Sequence, residues 1–417
     1  MLQLNHLNYY RLPWNLTDNI ISWLEPTSKC NLSCQGCYRK NEVNSHKSLE
    51  QIKEELEIFH RNRNTDCVSI AGGDPLLHPK IVDIVRMIKS FGSKPIVNTN
   101  GIALTNELLH ELKKAGVFGF TFHIDSRQNR PGWKTANELE LNELRYMYAR
   151  MLADEKGISC SFNSTVYEGT MKYIPEMAEW ARKNIDIVHV MVFILYRAVD
   201  NSKVDFFCGP EKIDMSTLVY NEDVPERDDI RANEIVELLR NSDPEFDPCS
   251  YLNGSEKPDS FKWLLTGRLG TKDKIYGYMG KKSMEIVQVM NHLLFGKYLS
   301  YTSPRMTASG KSLLLLSAFD KKLRKTMFRF LLNPLNIFRK LHYQSVMIIQ
   351  PVDLLEDGRQ SMCDGCPDMT VWNGKLVWSC RLEEQLQYGV NLKTYPKNMG
   401  KEFSKQKELV GCEYMMN

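Results

Sequence analysis

The chain of 417 residues lacks the features that would place it in several large classes. It has nothing approaching the roughly eighteen consecutive apolar residues that a membrane-spanning helix needs. The longest apolar runs, 313–319 and 346–352, are far too short. The opening MLQLNHLNYYRLPWNL lacks a charged segment followed by an apolar one, so it does not read as a secretory signal. Charge is nearly balanced, and a formal net charge of +3 is too small to argue for nucleic acid. There is no internal repeat and no low-complexity tract. With 42% hydrophobic residues there is no signature of disorder either. What remains is a globular chain, long enough for a catalytic core plus an appended region.

Cysteine is what the chain has in quantity. Its eleven cysteines are odd in number and unevenly spread. Three fall within 30–37 and three within 363–380, while Cys67, Cys160, Cys208, Cys249 and Cys412 are scattered singly. Secreted disulfide frameworks favour short chains with even counts. The expectation is therefore a reducing cytoplasm, in which clustered cysteines hold metal.

From about residue 20 to 196 short apolar runs alternate with longer amphipathic ones. Strands are predicted over 20–25, 68–71, 94–98, 118–124, 159–166 and 187–195, and helices over 48–62, 80–91, 106–115, 137–155 and 173–183. Gly72, Gly73, Gly92, Gly101, Gly116 and Gly157 punctuate the switches. Six alternating units imply parallel β/α crossovers, whose ligand site lies at the carboxyl ends of the strands. Beyond residue 200 the alternation stops. Residues 200–260 read as a polar linker or lid. Residues 260–345 read as helical, with 263–265, 276–279 and 284–294 as their apolar periodic parts. Strand-like runs return from about 346.

Cys30-Asn-Leu-Ser-Cys34-Gln-Gly-Cys37 spells C-x3-C-x2-C directly after the first strand. Three thiolates on one tight loop can ligate three irons of a 4Fe–4S cube. The fourth iron is then open, and an open position on a metal is a place for substrate or cofactor. A zinc loop is the competing reading, but structural zinc favours four ligands in two pairs and only His46 lies nearby.

This loop resembles that of the radical S-adenosylmethionine (SAM) superfamily. The resemblance implies that Cys30, Cys34 and Cys37 hold the catalytic cluster, whose open iron chelates the amino and carboxylate groups of the methionine moiety. An electron from the cluster would cleave the sulfonium to a 5′-deoxyadenosyl radical, which abstracts hydrogen from a substrate. A reducing protein such as flavodoxin or ferredoxin would supply that electron. The family usually has an aromatic residue just before the third cysteine. Here Gly36 stands there and Tyr38 follows, so Tyr38 is the cofactor-contact candidate of the loop.

Companion segments extend the resemblance. Ala71-Gly72-Gly73-Asp74-Pro75 is similar to the family's GGEP motif, which contacts the methionine amino group, with Asp74 in place of Glu. Val97-Asn98-Thr99-Asn100-Gly101 is similar to its TNG segment, making Asn98 and Asn100 candidates. At the next strand ends His123, Asp125, Ser126 and Asn163 are candidates for the cofactor's ribose and carboxylate. Each of these alone fits a polar residue satisfying a turn; together they would line one rim. The implied fold is α/β: a partial (β/α)6, TIM-like barrel over 1–199, a lid and helical insertion over 200–345, and a small C-terminal iron–sulfur cluster domain over 346–417.

In that last region Cys363-Asp-Gly-Cys366, Cys380 and Cys412 offer four thiolates, enough for a fully ligated auxiliary 4Fe–4S cluster. Gly374-Lys-Leu-Val-Trp-Ser-Cys380 resembles the glycine-to-cysteine hairpin of SPASM and twitch extensions, although four cysteines stand where the full SPASM pattern has seven. Zinc would suit the same four ligands and is the competing metal. The fourth ligand is Cys412 or Cys249, while Cys67 and Cys160 read as plain core residues.

The substrate is less legible. No D-x-H-x-x-G sequence marks cobalamin binding, and about twenty residues before the first strand leave no room for a leader-peptide-binding domain. Residues 321–343, KKLRKTMFRFLLNPLNIFRKLHY, are basic and apolar together, the pattern of a membrane-surface helix. The plainer alternative is a helix packed on the barrel with solvated lysines. Three readings follow: radical chemistry on a lipid or lipid-linked substrate at the inner membrane face, the same chemistry on a peptide side chain, or a non-catalytic iron–sulfur or zinc protein.

Overall fold

The computed structural model describes residues 3–197, 204–214, 218, 227 and 229–397. Six β/α repeats open it. Strand β1 (Ile21–Thr27) leads through the cysteine loop to α1 (Leu49–Asn62), then β2 (Cys67–Gly72), α2 (Ile81–Ser90), β3 (Lys94–Thr99), α3 (Asn106–Ala115), β4 (Gly119–His123), α4 (Leu141–Glu155), β5 (Ser159–Val166), α5 (Ile174–Lys183) and β6 (Val190–Leu195). The six strands pair in parallel in chain order. Local sequence explains the helices. Helix α1 starts at a Ser48–Gln51 capping box and buries Ile52, Leu56 and Phe59, one face at helical spacing. Helix α3 starts at a Thr105 cap and ends on Gly116 at φ +100°.

The sheet then continues where the sequence reading had it end. Next to α6 (Ala232–Ser242) in the chain come β7 (Ser250–Leu252), β8 (Trp263–Gly270), β9 (Ile275–Tyr278), helices α7 (Lys281–Phe295) and α8 (Lys321–Leu331), and β10 (His342–Ile349). Strand β10 pairs in parallel with β6, and β8 pairs antiparallel with β10 along all eight residues. Strand β7 pairs with β8, and the two-residue strand Tyr10–Arg11 closes the order beside β7. The helical reading of 263–265 and 276–279 is thus corrected to strand. Every residue of β8 is buried, so it carries no polar–apolar alternation from which a strand could be read. Residues 284–294 are helical as expected.

The sheet curls until its two flanks meet. Trp14 packs edge-on against Trp263, with ring centroids 6.2 Å apart, in a core shared with Leu12, Ile21, Cys67 and Leu265. The result is an α/β fold, six parallel β/α strands extended into a mixed sheet with helical insertions. Strand ends β1 to β6 share one rim, and a cavity of about 1700 Å³ lies inside the curl. The C-terminal part adds a hairpin, β11 (Met369–Trp372) and β12 (Lys375–Trp378), followed by α9 (Leu382–Tyr388). None of the helices described is long and apolar enough to cross a membrane.

Candidate active site

Cys30, Cys34 and Cys37 all line this cavity and form no disulfide. Their loop has no regular secondary structure, so its shape comes from side chains reaching in from elsewhere. The Asn41 side chain accepts from the Cys30 N–H and donates to the Cys30 carbonyl, both at 2.9 Å. Arg127 Nη1 donates to Gln35 Oε1 at 3.0 Å, and the Tyr167 hydroxyl donates to the Gln35 carbonyl at 2.8 Å. Asn100 Nδ2 lies 3.8 Å from Cys30 Sγ, an N–H···S contact from the end of β3. Burial pushes the Cys30 thiol up, and pushes Cys34 up further. Metal binding at these thiols would therefore release protons.

Gly36 sits at φ +71°, and a Cβ there would collide with the Tyr196 ring. Tyr196 in turn packs on Tyr167 with centroids 4.8 Å apart. The aromatic surface beside the third cysteine thus comes from the end of β6 and the residue following β5. Composition near the motif gave no sign of it. Tyr38 lines the cavity from the other side of Cys37.

The glycines of β2 have a tight structural reason. A Cβ on Gly72 would strike the Thr27 carbonyl, and one on Gly73 the carbonyls of Ser28 and Lys29. The Gly73 N–H donates to Thr27 and the Asp74 N–H to Lys29, at 2.9 and 2.8 Å. Both glycines line the cavity, but Asp74 and Pro75 do not. The Asp74 carboxylate is wholly buried. It accepts from Leu76 N–H, from the Thr99 hydroxyl and from Asn100 N–H, at 2.8 to 3.0 Å. Burial pushes its pKa up against those donors. In this structure the Asp74 carboxylate holds the end of β3, and through it Asn100.

Asn98, Asn100, His123, Asp125 and Asn163 line the cavity, while Ser126 does not and gives its N–H to Glu138 at 2.7 Å. His123 Nε2 lies 2.9 Å from both Asp125 Oδ2 and Thr165 Oγ1. Burial alone would raise the Asp125 carboxyl, but His123, the Arg127 N–H and Thr165 outweigh it and hold it below its usual value. Gln128 and Thr165 also line the cavity and were missed, because a polar side chain a few residues past a strand end carries no pattern of its own.

Cys363, Cys366 and Cys380 face the same cavity, as does Asp368, whose carboxyl burial pushes up to about 7 while nearby Arg63 opposes the rise. Cys249 does not line the cavity: it is buried in a separate core, with its thiol on the Leu265 carbonyl at 3.2 Å. Cys412 lies outside the described residues. Cys67 and Cys160 are buried in the core.

A buried ion cluster joins the two cysteine loops. Arg39, two residues past Cys37, donates to both Glu25 oxygens at 2.5 and 2.7 Å and to the Ser379 carbonyl, beside Cys380, at 2.9 Å. Glu383 approaches Arg39 to 3.5 Å and accepts the Lys40 N–H at 3.0 Å. Arg63 donates to the Cys366 carbonyl at 3.2 Å. None of these partners was legible in sequence: Glu25 lies 14 residues before Arg39 with no motif linking the two, and the others are more than 300 residues away.

Residues 24–196 match the family model described as the radical SAM superfamily. This stretch is a radical SAM domain. Over 108 residues the chain is 32% identical to the tungsten-containing aldehyde ferredoxin oxidoreductase cofactor-modifying protein of Pyrococcus furiosus, covering 25% of this chain and 30% of that one. It is 30% identical over 102 residues to a probable GTP 3′,8-cyclase of Pyrococcus abyssi, covering 24% and 33%. The matches thus span about a third of these relatives. The crystal structure of Streptococcus suis SuiB bound to precursor peptide SuiA is similar at 17% identity and a TM-score of 0.36, covering 44% of this chain and 40% of that one.

The donor set of the radical SAM domain suits a 4Fe–4S cluster. Among the described residues no three His, Cys, Asp or Glu side chains converge on a single ion. A cube makes no such demand, because each thiolate takes its own iron. Three thiols on one cavity wall, none of them in a disulfide, beside a backbone cradle that a Cβ at Gly72 or Gly73 would obstruct, meet what it does require.

Proposed function

We propose that this chain is a radical SAM enzyme that cleaves SAM reductively to a 5′-deoxyadenosyl radical and directs it at an unactivated C–H bond of a substrate in the cavity. The observation that carries this reading is the shared cavity. Cys30, Cys34, Cys37, the strand-end polar residues of the radical SAM domain and the second cysteine set all face it. Cys30, Cys34 and Cys37 would hold the catalytic 4Fe–4S cluster, which when bound supplies the electron for cleavage.

The chain's own residues have definable parts. Asn100 gives an N–H to Cys30 sulfur, a contact that tunes how strongly that thiolate donates. Gly72 and Gly73 let the β2 backbone lie flush against the cysteine loop, leaving room for a cofactor's polar end. Asp125 and Thr165 fix the His123 ring on the cavity wall, so that it presents a hydrogen-bonding edge in a set direction. Tyr167 and Tyr196 offer a ring surface beside the third cysteine.

Cys363, Cys366 and Cys380 would hold an auxiliary 4Fe–4S cluster in a SPASM- or twitch-like region, with Cys412, outside the described residues, as the candidate fourth thiolate. A flavodoxin- or ferredoxin-like protein is the electron donor. Two substrate classes divide the reading. One is a peptide side chain, the class of ligand in the SuiB complex. The other is a lipid-like molecule, which the apolar wall of Met284, Val287, Met290, Leu294 and Phe295 favours.

The deciding experiment is anaerobic reconstitution, iron and sulfide counting, reduction, and assay for 5′-deoxyadenosine. About eight irons with cleavage support both clusters, and about four irons with one zinc would make the second site structural. No cleavage with both sites filled, even across peptide and lipid substrates, would sink the reading.

A further inference from the structure

The surface built from residues 281–340 is unusual in two respects at once. Single exposed apolar side chains are ordinary, but here they concentrate. Of the twenty-two large hydrophobic residues exposed among the described residues, fourteen fall between 289 and 338. Leu293 and Phe295 at the end of α7 are 71% and 72% exposed, Leu332 is 82% and Phe338 is 87%. An apolar patch of this kind marks a docking surface.

Positive charge concentrates in the same segment. It holds twelve lysines and arginines against two acids, although the whole chain carries only +3, so the remainder is net acidic. Part of that charge is neutralised. Lys322 pairs with Asp247, Lys325 and Arg329 with Glu245, and Arg339 with Asp273. Arg305, Lys321 and Lys340 are exposed with no ion-pair partner among the described residues.

The segment's parts pack on one another rather than standing apart as separate loop tips. Helix α8 buries Leu323 and Phe330 in a core shared with Met284 of α7 and Leu314. Arg324 donates to the carbonyls of Ser317 and Ala318, and Lys311 to that of Ile337. The packed-helix alternative raised by the sequence is therefore right for one face of α8, while Phe328, Leu331 and Leu332 remain exposed on it. The surface also reaches the cavity: Met290, Leu294, Phe295 and Met306 are exposed and line the cavity as well.

We propose that this face docks on an anionic lipid bilayer, its leucines and phenylalanines entering the headgroup boundary and Arg305, Lys321 and Lys340 meeting lipid phosphates. The cavity then opens toward the membrane. Charge argues for this occupant over the others. A second copy would oppose one cationic face to another, and a nucleic acid would leave the exposed leucines and phenylalanines in water. The inference deepens the proposed function only in where the cavity opens, and docking itself needs no cluster or SAM.

The test is flotation of the full chain with phosphatidylcholine vesicles, with and without phosphatidylglycerol, beside the double variant Leu332→Glu/Phe338→Glu. Thermal melting establishes that the variant folds. The expected result is flotation with anionic vesicles, weakened by salt, and at least about a tenfold loss of vesicle affinity in the variant. Absence of flotation on anionic vesicles, or equal flotation of the folded variant, would overturn the inference. So would a dimer that the variant converts to monomer without any vesicle binding, which would assign the face to a second copy. Assay of 5′-deoxyadenosine formation by the reconstituted variant tests the radical chemistry separately.

Discussion

The two cysteine loops face one cavity but are secured by different physics. The loop of Cys30, Cys34 and Cys37 is fastened mostly by neutral groups: the Asn41 and Asn100 amides, the Tyr167 hydroxyl and backbone bonds to β2. Cys37 and several neighbours are exposed. The loop of Cys363, Cys366 and Cys380 is fastened by buried guanidinium groups. Arg39 holds Ser379, Arg63 holds Cys366, and Arg381 pairs with Glu384 at 2.5 Å. Many modest hydrogen bonds allow a loop to adjust around a cofactor that comes and goes. A few buried charges give an all-or-none anchor, because removing one partner strands the other.

The largest expected effect tests whether the loops are chemically separate. Cys34→Ala should abolish 5′-deoxyadenosine formation while leaving about four irons on the second site, counted after reconstitution. Loss of all iron would show that the loops load as one unit. Next comes the shared anchor: Arg39→Leu leaves Glu25 and Glu383 buried without their cation. It should lower unfolding free energy by about 3–5 kcal/mol in urea titration. A change under about 1 kcal/mol would mean the ion cluster does not secure the second loop.

Asp125→Asn should cost about 1–3 kcal/mol near neutral pH by weakening the His123 and Thr165 contacts. The sign of its pH dependence follows from the lowered carboxyl. The native stabilisation is full above the usual value of 3.8 and disappears as pH falls through the depressed native value. The gap between native chain and variant, read from melts at successive pH values, should therefore close in acid. A gap that widens in acid would reverse the assignment. The smallest effect is expected for Asn41→Ala, which removes two exposed bonds to Cys30 at a cost of about 1 kcal/mol. It should slow iron uptake at the first loop alone, followed by absorbance during reconstitution.

Sequence made the first half of the molecule readable because its physics is local. Parallel β/α units announce themselves by apolar periodicity and turn glycines, and the C-x3-C-x2-C loop and the Gly72–Gly73 pair follow their strands directly. The second half hid for two reasons. Strand β8 is buried on both faces and shows no alternation. Its companions are remote, with Tyr10–Arg11 beside Ser250–Leu252 and Arg39 on Ser379. Asp74 shows a different limit. A motif names a residue but not the direction of its side chain, and three nearby donors turned this one inward.

The strand order also has a consequence for biosynthesis. Strand β6, Val-Met-Val-Phe-Ile-Leu, finds its outer neighbour only in β10, roughly 150 residues later in the chain. At a translation rate of about 5–20 residues per second, the apolar edge of β6 waits unpaired for roughly 8–30 s on the ribosome. An exposed edge of that composition invites pairing with another nascent chain. The yield of native protein in cells should thus depend on translation speed and chaperone supply more steeply than the finished fold would lead one to expect.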